Sequence, residues 1–317
     1  MKKLGLFLFC ILSLAYSSPG QSRKYISQFS HFQSYYNPGL TGYEGSALRS
    51  LVRNQWSGFE GAPETYFMSA EIDLAEIGGW DDPVLVGKNA VSVNFLHDTY
   101  GAFRETELMV GYASRVRISQ THQLRLGAGI NYQSIRLDGH ALTTEQQNDH
   151  ILENYMGSFS DLRIFDFNLG LAFTHHNYYV SYSMHNVNRG RISGGDAFMD
   201  GKPVTYFAQA GVRKAVSQYQ SLIFNAFYRR QEGLPNNIEL NLKTLLMDKV
   251  WIGAGHRFNY AYNLQFGVLL PKVRIGYIYE LPMNKSFNLP GQTHEFTAVF
   301  NLYRTNEKKY DREILIW

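Results

Sequence analysis

Apolar and polar side chains take turns along most of this chain, and no other feature of the sequence restricts the fold as much. In 237–244, Ile238, Leu240 and Leu242 fall on one side, and Asn237, Glu239, Asn241 and Lys243 on the other. Successive strand side chains point to opposite faces, so this segment reads as a strand with one oily and one wet face. The same period sets Leu124, Leu126, Ala128, Ile130 and Tyr132 against Gln123, Arg125, Gly127, Gly129 and Asn131. It sets Val273, Ile275, Tyr277 and Tyr279 against Lys272, Arg274 and Gly276, and Phe296, Ala298, Phe300 and Leu302 against Glu295, Thr297 and Asn301. Phe165, Phe167, Leu169, Leu171 and Phe173 repeat it against Asp166, Asn168 and Gly170.

Soluble sandwiches also alternate, so length and composition have to decide between water and lipid. Many of the segments approach the roughly ten residues that cross a bilayer at a tilt. Aromatic residues make up 15% of the chain, with 28 Gly and only 9 Pro, the balance of a strand-rich rather than a helical protein. Backbone groups in lipid must pair among themselves, which a sheet achieves only by closing. The expected fold is all-β: a transmembrane outer-membrane β-barrel of about fourteen antiparallel strands. These run over about 46–56, 65–73, 88–98, 103–116, 123–136, 164–175, 177–184, 204–215, 221–230, 237–247, 250–257, 261–270, 272–280 and 293–303. Arg125, Asn131, Glu239, Asn241, Lys243, Arg274 and Glu295 are expected to face the lumen. Tyr35 and Tyr36, Tyr178 and Tyr179, Phe227 and Tyr228, and Tyr260 and Tyr262 are expected to form interfacial girdles.

Connection lengths orient the barrel. With both barrel ends of the chain in the periplasm, 137–163, 185–204 and 281–292 are outer loops, while 117–122, 216–220 and 248–249 are tight inner turns, the outer-membrane pattern. Leu74 to Gly87 is the exception, a long turn on the inner side. A basic start, Met1-Lys2-Lys3, an apolar run from Leu4 to Leu14, and Ser18-Pro19-Gly20 read as an export signal, too short for a helical anchor. The expected layout is a signal peptide over 1–20, a periplasmic or lumenal segment over 21–45, the barrel over 46–303 and a tail over 304–317.

Several chemistries find no support. The only cysteine, Cys10, lies in the signal, so thiol catalysis, disulfides and thiolate metal sites fall away together. The net charge of +3 carries no long basic run, against a nucleic-acid partner. There is no phosphate loop and no Gly-x-Ser-x-Gly elbow. His175-His176 on one strand point apart, and His140, Glu145, Asp149, His150 and Glu153 read as a polar surface loop, as do Asp81 and Asp82. Ser183 and His185 can be drawn as a nucleophile and base, but spacing alone does not support them. No catalytic residue, metal or cofactor is expected.

One block departs from generic strand chemistry. Leu51-Val52-Arg53-Asn54-Gln55-Trp56-Ser57-Gly58-Phe59-Glu60-Gly61-Ala62-Pro63 joins two extended segments through a turn, with Trp56 and Phe59 flanking Gly58. Arg53, Asn54 and Gln55 are polar groups that a wet or plugged lumen accommodates. The block reads either as a hairpin with an aromatic clamp or as a docking or plugging element. Upstream stand Gln28-Phe29-Ser30 and Tyr36-Asn37-Pro38-Gly39-Leu40-Thr41-Gly42.

Together these three stretches resemble the N-terminal signature of the PorP/SprF family of outer-membrane proteins, with Gly39 where Ala is usual. Val180 to Asn186 resembles the family's mid-chain strand. Gly276 to Glu280 followed by Thr293-His294-Glu295-Phe296 resembles its last hairpin. The resemblance implies a component of the type IX secretion and gliding-motility system in outer-membrane lipid. Such a component assists secretion or surface anchoring of a cargo such as an adhesin. Its implied partners are the periplasmic ring or translocon proteins and a cargo with a C-terminal sorting domain. The residues implied for partner contact or plugging are Asn37, Pro38, Arg53, Asn54, Gln55, Trp56, Gly58, Phe59 and Pro63. A passive or solute-selective porin is the alternative.

Overall fold

The computed structural model describes residues 25–77, 89–142, 155–196, 198, 201–283, 291–303, 314, 316 and 317. The signal, Asp81 and Asp82, and the loop carrying Glu145, Asp149, His150 and Glu153 lie outside them. The strands are β1 (Ala47–Asn54), β2 (Glu64–Asp73), β3 (Asn89–Tyr100), β4 (Phe103–Arg117), β5 (Gln123–Asp138), β6 (Phe159–His175), β7 (Tyr178–His185), β8 (Ile192–Gly195), β9 (Thr205–Ser217), β10 (Gln220–Gln231), β11 (Asn237–Leu246), β12 (Val250–Arg257), β13 (Ala261–Leu269), β14 (Val273–Pro282) and β15 (Thr293–Asn301).

Each pairs antiparallel with its neighbours, and β1 pairs β15 from Ala47↔Asn301 to Asn54↔His294, which seals the ring. β8 stands outside it. Where β7 leaves β6 at Leu169, β8 takes over beside Leu162–Phe165, so fourteen strands close the barrel. β6 begins at Phe159, five residues before the expected 164, because β5 continues to pair with it up to Asp138.

The alternation is inside-out relative to a soluble protein. Along β11, Glu239 and Lys243 are 2% and 0% exposed, whereas Ile238 and Leu242 are 43% and 53% exposed. Only a lipid surround makes that partition favourable, since apolar area left in water carries a free-energy cost that scales with area. All seven residues expected in the lumen are buried there. The girdle is a partial correction. Tyr35 and Tyr36 precede the first strand and pack inside, and Tyr179 and Phe227 also face inward, while Tyr178 and Tyr262 face out. Adjacent strand residues point to opposite faces, so the pairs 178–179 and 227–228 each offer one ring to lipid.

One rim carries the turns 101–102 and 258–260 with the longer connections 55–63, 139–158 and 186–204. The opposite rim carries the tight turns 176–177 and 218–219, the helix Leu74–Ile77, the start of β1 and the end of β15. We refer to them as the loop rim and the inner rim.

Candidate functional site: a lumen filled by the chain itself

Residues 25–46 run through the lumen as three short helical turns, Phe29–His31, Gln33–Tyr36 and Pro38–Leu40. This plug starts near the loop rim, where the Tyr25 ring lies 5.7 Å from Tyr260 and 4.3 Å from the Arg257 guanidinium. It ends at the inner rim, where Ser46 leads into β1.

Ser27 is the upper anchor. Its N–H donates to Glu295 (2.9 Å), its hydroxyl donates to Glu280 (2.6 Å), and its carbonyl accepts from Asn241 (3.1 Å). Around it, Arg53 pairs with Glu280 and Glu295 (3.0 Å each), and Arg257 pairs with Glu239 (2.9 Å) and Glu280 (3.2 Å). Arg257 also donates to the Ser27 hydroxyl at 2.7 Å. Buried charges survive only when paired and hydrogen-bonded, and here two guanidiniums, from β1 and β12, answer three carboxylates, from β11, β14 and β15. Gln28 continues the ladder, its N–H donating to Glu295 (2.9 Å), while Phe29 packs on Phe227 with ring centres 5.0 Å apart.

Midway, Lys243 donates to the Ser30 hydroxyl (2.9 Å), the Trp317 backbone oxygen (2.8 Å) and the His31 ring (3.4 Å). Burial, and then the Lys243 charge, hold His31 well below the usual imidazole range, so it accepts that hydrogen bond as a neutral ring. Trp317 lies inside the barrel against the plug. It stacks on Tyr43 (5.6 Å) and lies edge-on to Tyr179 (4.9 Å), beneath the Arg213 guanidinium (4.1 Å). Ile314 and Ile316 pack beside it against Ile223, Leu245, Trp251 and Leu269.

The Asn37-Pro38-Gly39 turn lies flat on β5 and β6. Asn37 donates to the Leu171 and Tyr182 carbonyls (3.1 Å each) and accepts from the Gly39 N–H (2.8 Å). Gly127 and Gly170 pair directly beneath it. A β-carbon on Gly170 would stand 2.0 Å from the Asn37 side chain, and one on Gly127 would stand 2.2 Å from the Gly39 nitrogen. Gly42 then takes φ +66°, a conformation suited to glycine, and donates to Glu71 at 2.9 Å. Below it, Glu44 pairs with Arg49 (2.9 Å) and Arg274 (3.2 Å). Burial opposes ionisation of Glu44, but Arg274 and Arg49 outweigh it and hold the carboxyl below the usual range.

The expected site residues therefore divide. Asn37, Pro38 and Arg53 lie in the lumen and hold the plug. Asn54 faces outward at the end of β1 and Gln55 leaves the strand, so of the three polar groups only Arg53 points inward. The strand alternation dictates this. Trp56, Gly58, Phe59 and Pro63 form the β1–β2 loop on the loop rim. Ser57 donates to the Gln292 carbonyl (2.9 Å) and Gly101 to the Gly61 carbonyl (3.0 Å), which fastens the loop to its neighbours on both sides. Trp56 has φ +54° and Phe59 is 45% exposed. Ser183 and His185 both donate to the Tyr36 carbonyl (2.6 and 3.0 Å), as anchors of the plug.

Sequence reasoning missed Ser27, Glu280 and Arg257. The signal for Glu280 and Arg257 was available: ionisable residues on the wet face of a closed strand need counter-charges. Above the plug, toward the loop rim, opens a vestibule of about 560 Å³, floored by Ile26, Tyr35 and Tyr36 and walled in part by Glu105, Glu107 and Arg229. It too was missed.

A family described as "Type IX secretion system membrane protein PorP/SprF" matches residues 18–300. No curated protein matches in sequence. Among solved structures, the chain is similar in fold to the CymD monoaromatic hydrocarbon channel, with a TM-score of 0.50 and 11% identity over 90% of this chain and 95% of that one. The outer membrane protein Omp33 of Acinetobacter baumannii aligns with a TM-score of 0.44 and 11% identity, over 81% and 96%.

Proposed function

This chain belongs to the PorP/SprF family of type IX secretion system membrane proteins, and on that premise we propose that it helps export or surface-anchor a cargo protein such as an adhesin. It does so as a self-plugged outer-membrane barrel. The observation that favours this over solute passage is the filled lumen, crossed by residues 25–46 and tied to the wall at Ser27, Asn37 and Glu44. A barrel blocked by its own chain works through what its rims hold. In this reading Asn37, Pro38 and Arg53 keep the plug seated. Asn54, Gln55, Trp56, Gly58, Phe59 and Pro63 present a partner contact on the loop rim. The partners are the secretion ring or translocon and a cargo with a C-terminal sorting domain. No catalytic step is required, since Ser183 and His185 are committed to the Tyr36 carbonyl.

The test combines secretion and conductance. Trp56→Ala and Arg53→Ala barrels that still insert are expected to lower surface display of the cognate cargo several-fold. In planar bilayers the unmodified barrel is expected to pass little current, and Arg53→Ala more. Normal cargo display by both variants would overturn the reading. A large steady conductance of the unmodified barrel would favour the porin alternative.

A further inference from the structure

Three strands overshoot the lipid. β4, β5 and β6 run for 15, 16 and 17 residues, where roughly ten suffice to cross a bilayer. The surplus lies toward the loop rim, and the outward side chains record it row by row. Val110, Ile130 and Phe167 stand side by side in the register, and Leu108, Tyr132 and Phe165 form the next row toward that rim. There the apolar belt stops. The following outward row is Thr106, Ser134 and Arg163, and the one beyond it is Arg104, Arg136 and Asp161. The first guanidinium therefore stands two residues above the lipid-facing Phe165, about 7 Å along the strand.

The charges above the belt are incompletely answered within the chain. Arg104 and Arg136 sit directly opposite one another on neighbouring strands, and like charges in that position destabilise a sheet. Asp161 holds Arg136 with two bonds (2.8 and 3.3 Å), whereas Asp138 reaches Arg104 only at 3.7 Å. The exposed Arg163 side chain makes no hydrogen bond or close ion pair among the described residues. We propose that Arg163, Arg136 and Arg104, stepping across three adjacent strands beside the Ser134 hydroxyl, bind the phosphate of a lipid headgroup in the leaflet at the loop rim. A guanidinium fork matches phosphate oxygens two at a time. Continuity with the belt selects a lipid as the source of that phosphate. Acyl chains lying on Leu108, Tyr132 and Phe165 deliver their headgroup at the height of Arg163, at the surface where basic clusters recognise anionic lipids. Arg230 on β10 also faces outward near the loop rim, opposite Tyr206, and supplies a single-charge comparison. The site depends on the lipid surround of the barrel and not on the secretion reading.

The experiment uses the full chain in detergent and counts retained ligand by native mass spectrometry. The probes are diphosphorylated lipid A, its dephosphorylated form and inorganic phosphate. The unmodified barrel is expected to retain the diphosphorylated lipid at least fivefold more than the dephosphorylated one. Arg163→Gln combined with Arg104→Gln is expected to remove that preference, and Arg230→Gln to keep it. Retained heat-modifiable mobility on gels reports that each variant is folded. Equal retention of the two lipids by the unmodified barrel would overturn the proposal. So would a preference that survives the double substitution, or one lost equally in Arg230→Gln. Binding of inorganic phosphate without a preference between the lipids would mark a soluble-anion site and refute the lipid assignment.

Discussion

At the scale of single residues, His31 makes the plug sensitive to acid. Packed, it is neutral, held so by burial and by Lys243, Arg274 and Arg49, with Glu44 opposing them. Unfolded, an imidazole takes up its proton near pH 6.5. The unfolded state then binds more protons than the folded one, so stability is intact above about pH 6.5 and falls as pH drops below it. Its slope approaches about 1.4 kcal/mol per pH unit for this one group. Glu44, whose carboxyl is depressed, contributes stability that is fully present above the ordinary carboxylate range and is lost only as pH falls below it, so it adds no slope between pH 7.5 and 5. Urea midpoints measured in detergent from pH 7.5 to 5 are expected to decline for the unmodified protein more steeply than for His31→Gln. Parallel curves would count against the assignment.

At the scale of elements, the contact between the Asn37-Pro38-Gly39 turn and the β5–β6 pair depends on two missing side chains. Gly170→Val is expected to push the turn off the wall, since its β-carbon would collide with Asn37. Overpacking of this kind costs about 1–3 kcal/mol. Limited proteolysis of the inserted barrel is expected to cut within 25–46 in the variant and to spare the unmodified protein. The same contact shows where sequence reading stops. Alternation placed Glu239, Lys243 and Arg274 in the lumen without ambiguity, because the period of a strand leaves each residue only two directions. It also separated Arg53 from Asn54, had the rule been carried to the end of β1. What alternation does not contain is which wall residues share one partner. Glu280 and Arg53 are far apart in sequence and meet only in the closed ring, where they pair directly and share Ser27, and Gly127 and Gly170 gain meaning only once a turn lies across them. The vestibule is walled largely by residues between strands, such as Gly201, Lys202, Glu232 and Leu234, whose approach to one another no strand period encodes.

At the scale of the whole molecule, two solvents meet across one sheet. The outer face needs lipid, and the inner face needs the plug. A charge placed on the lipid face, as in Leu242→Arg midway along β11, is expected to destabilise the inserted barrel by about 2–4 kcal/mol. Folding yields in lipid vesicles would report that loss, and an unchanged yield would argue that this face is wet. The neighbouring inward Asn241 sits one residue away in another medium, bonded to Ser27. Residues 25–46 lie within a ring whose seam joins the first strand to the last. Arg53 and Glu295 face each other across the β1–β15 seam and both bond Ser27, so the cork and the clasp of the hoop are one fastening, and loosening either slackens the other.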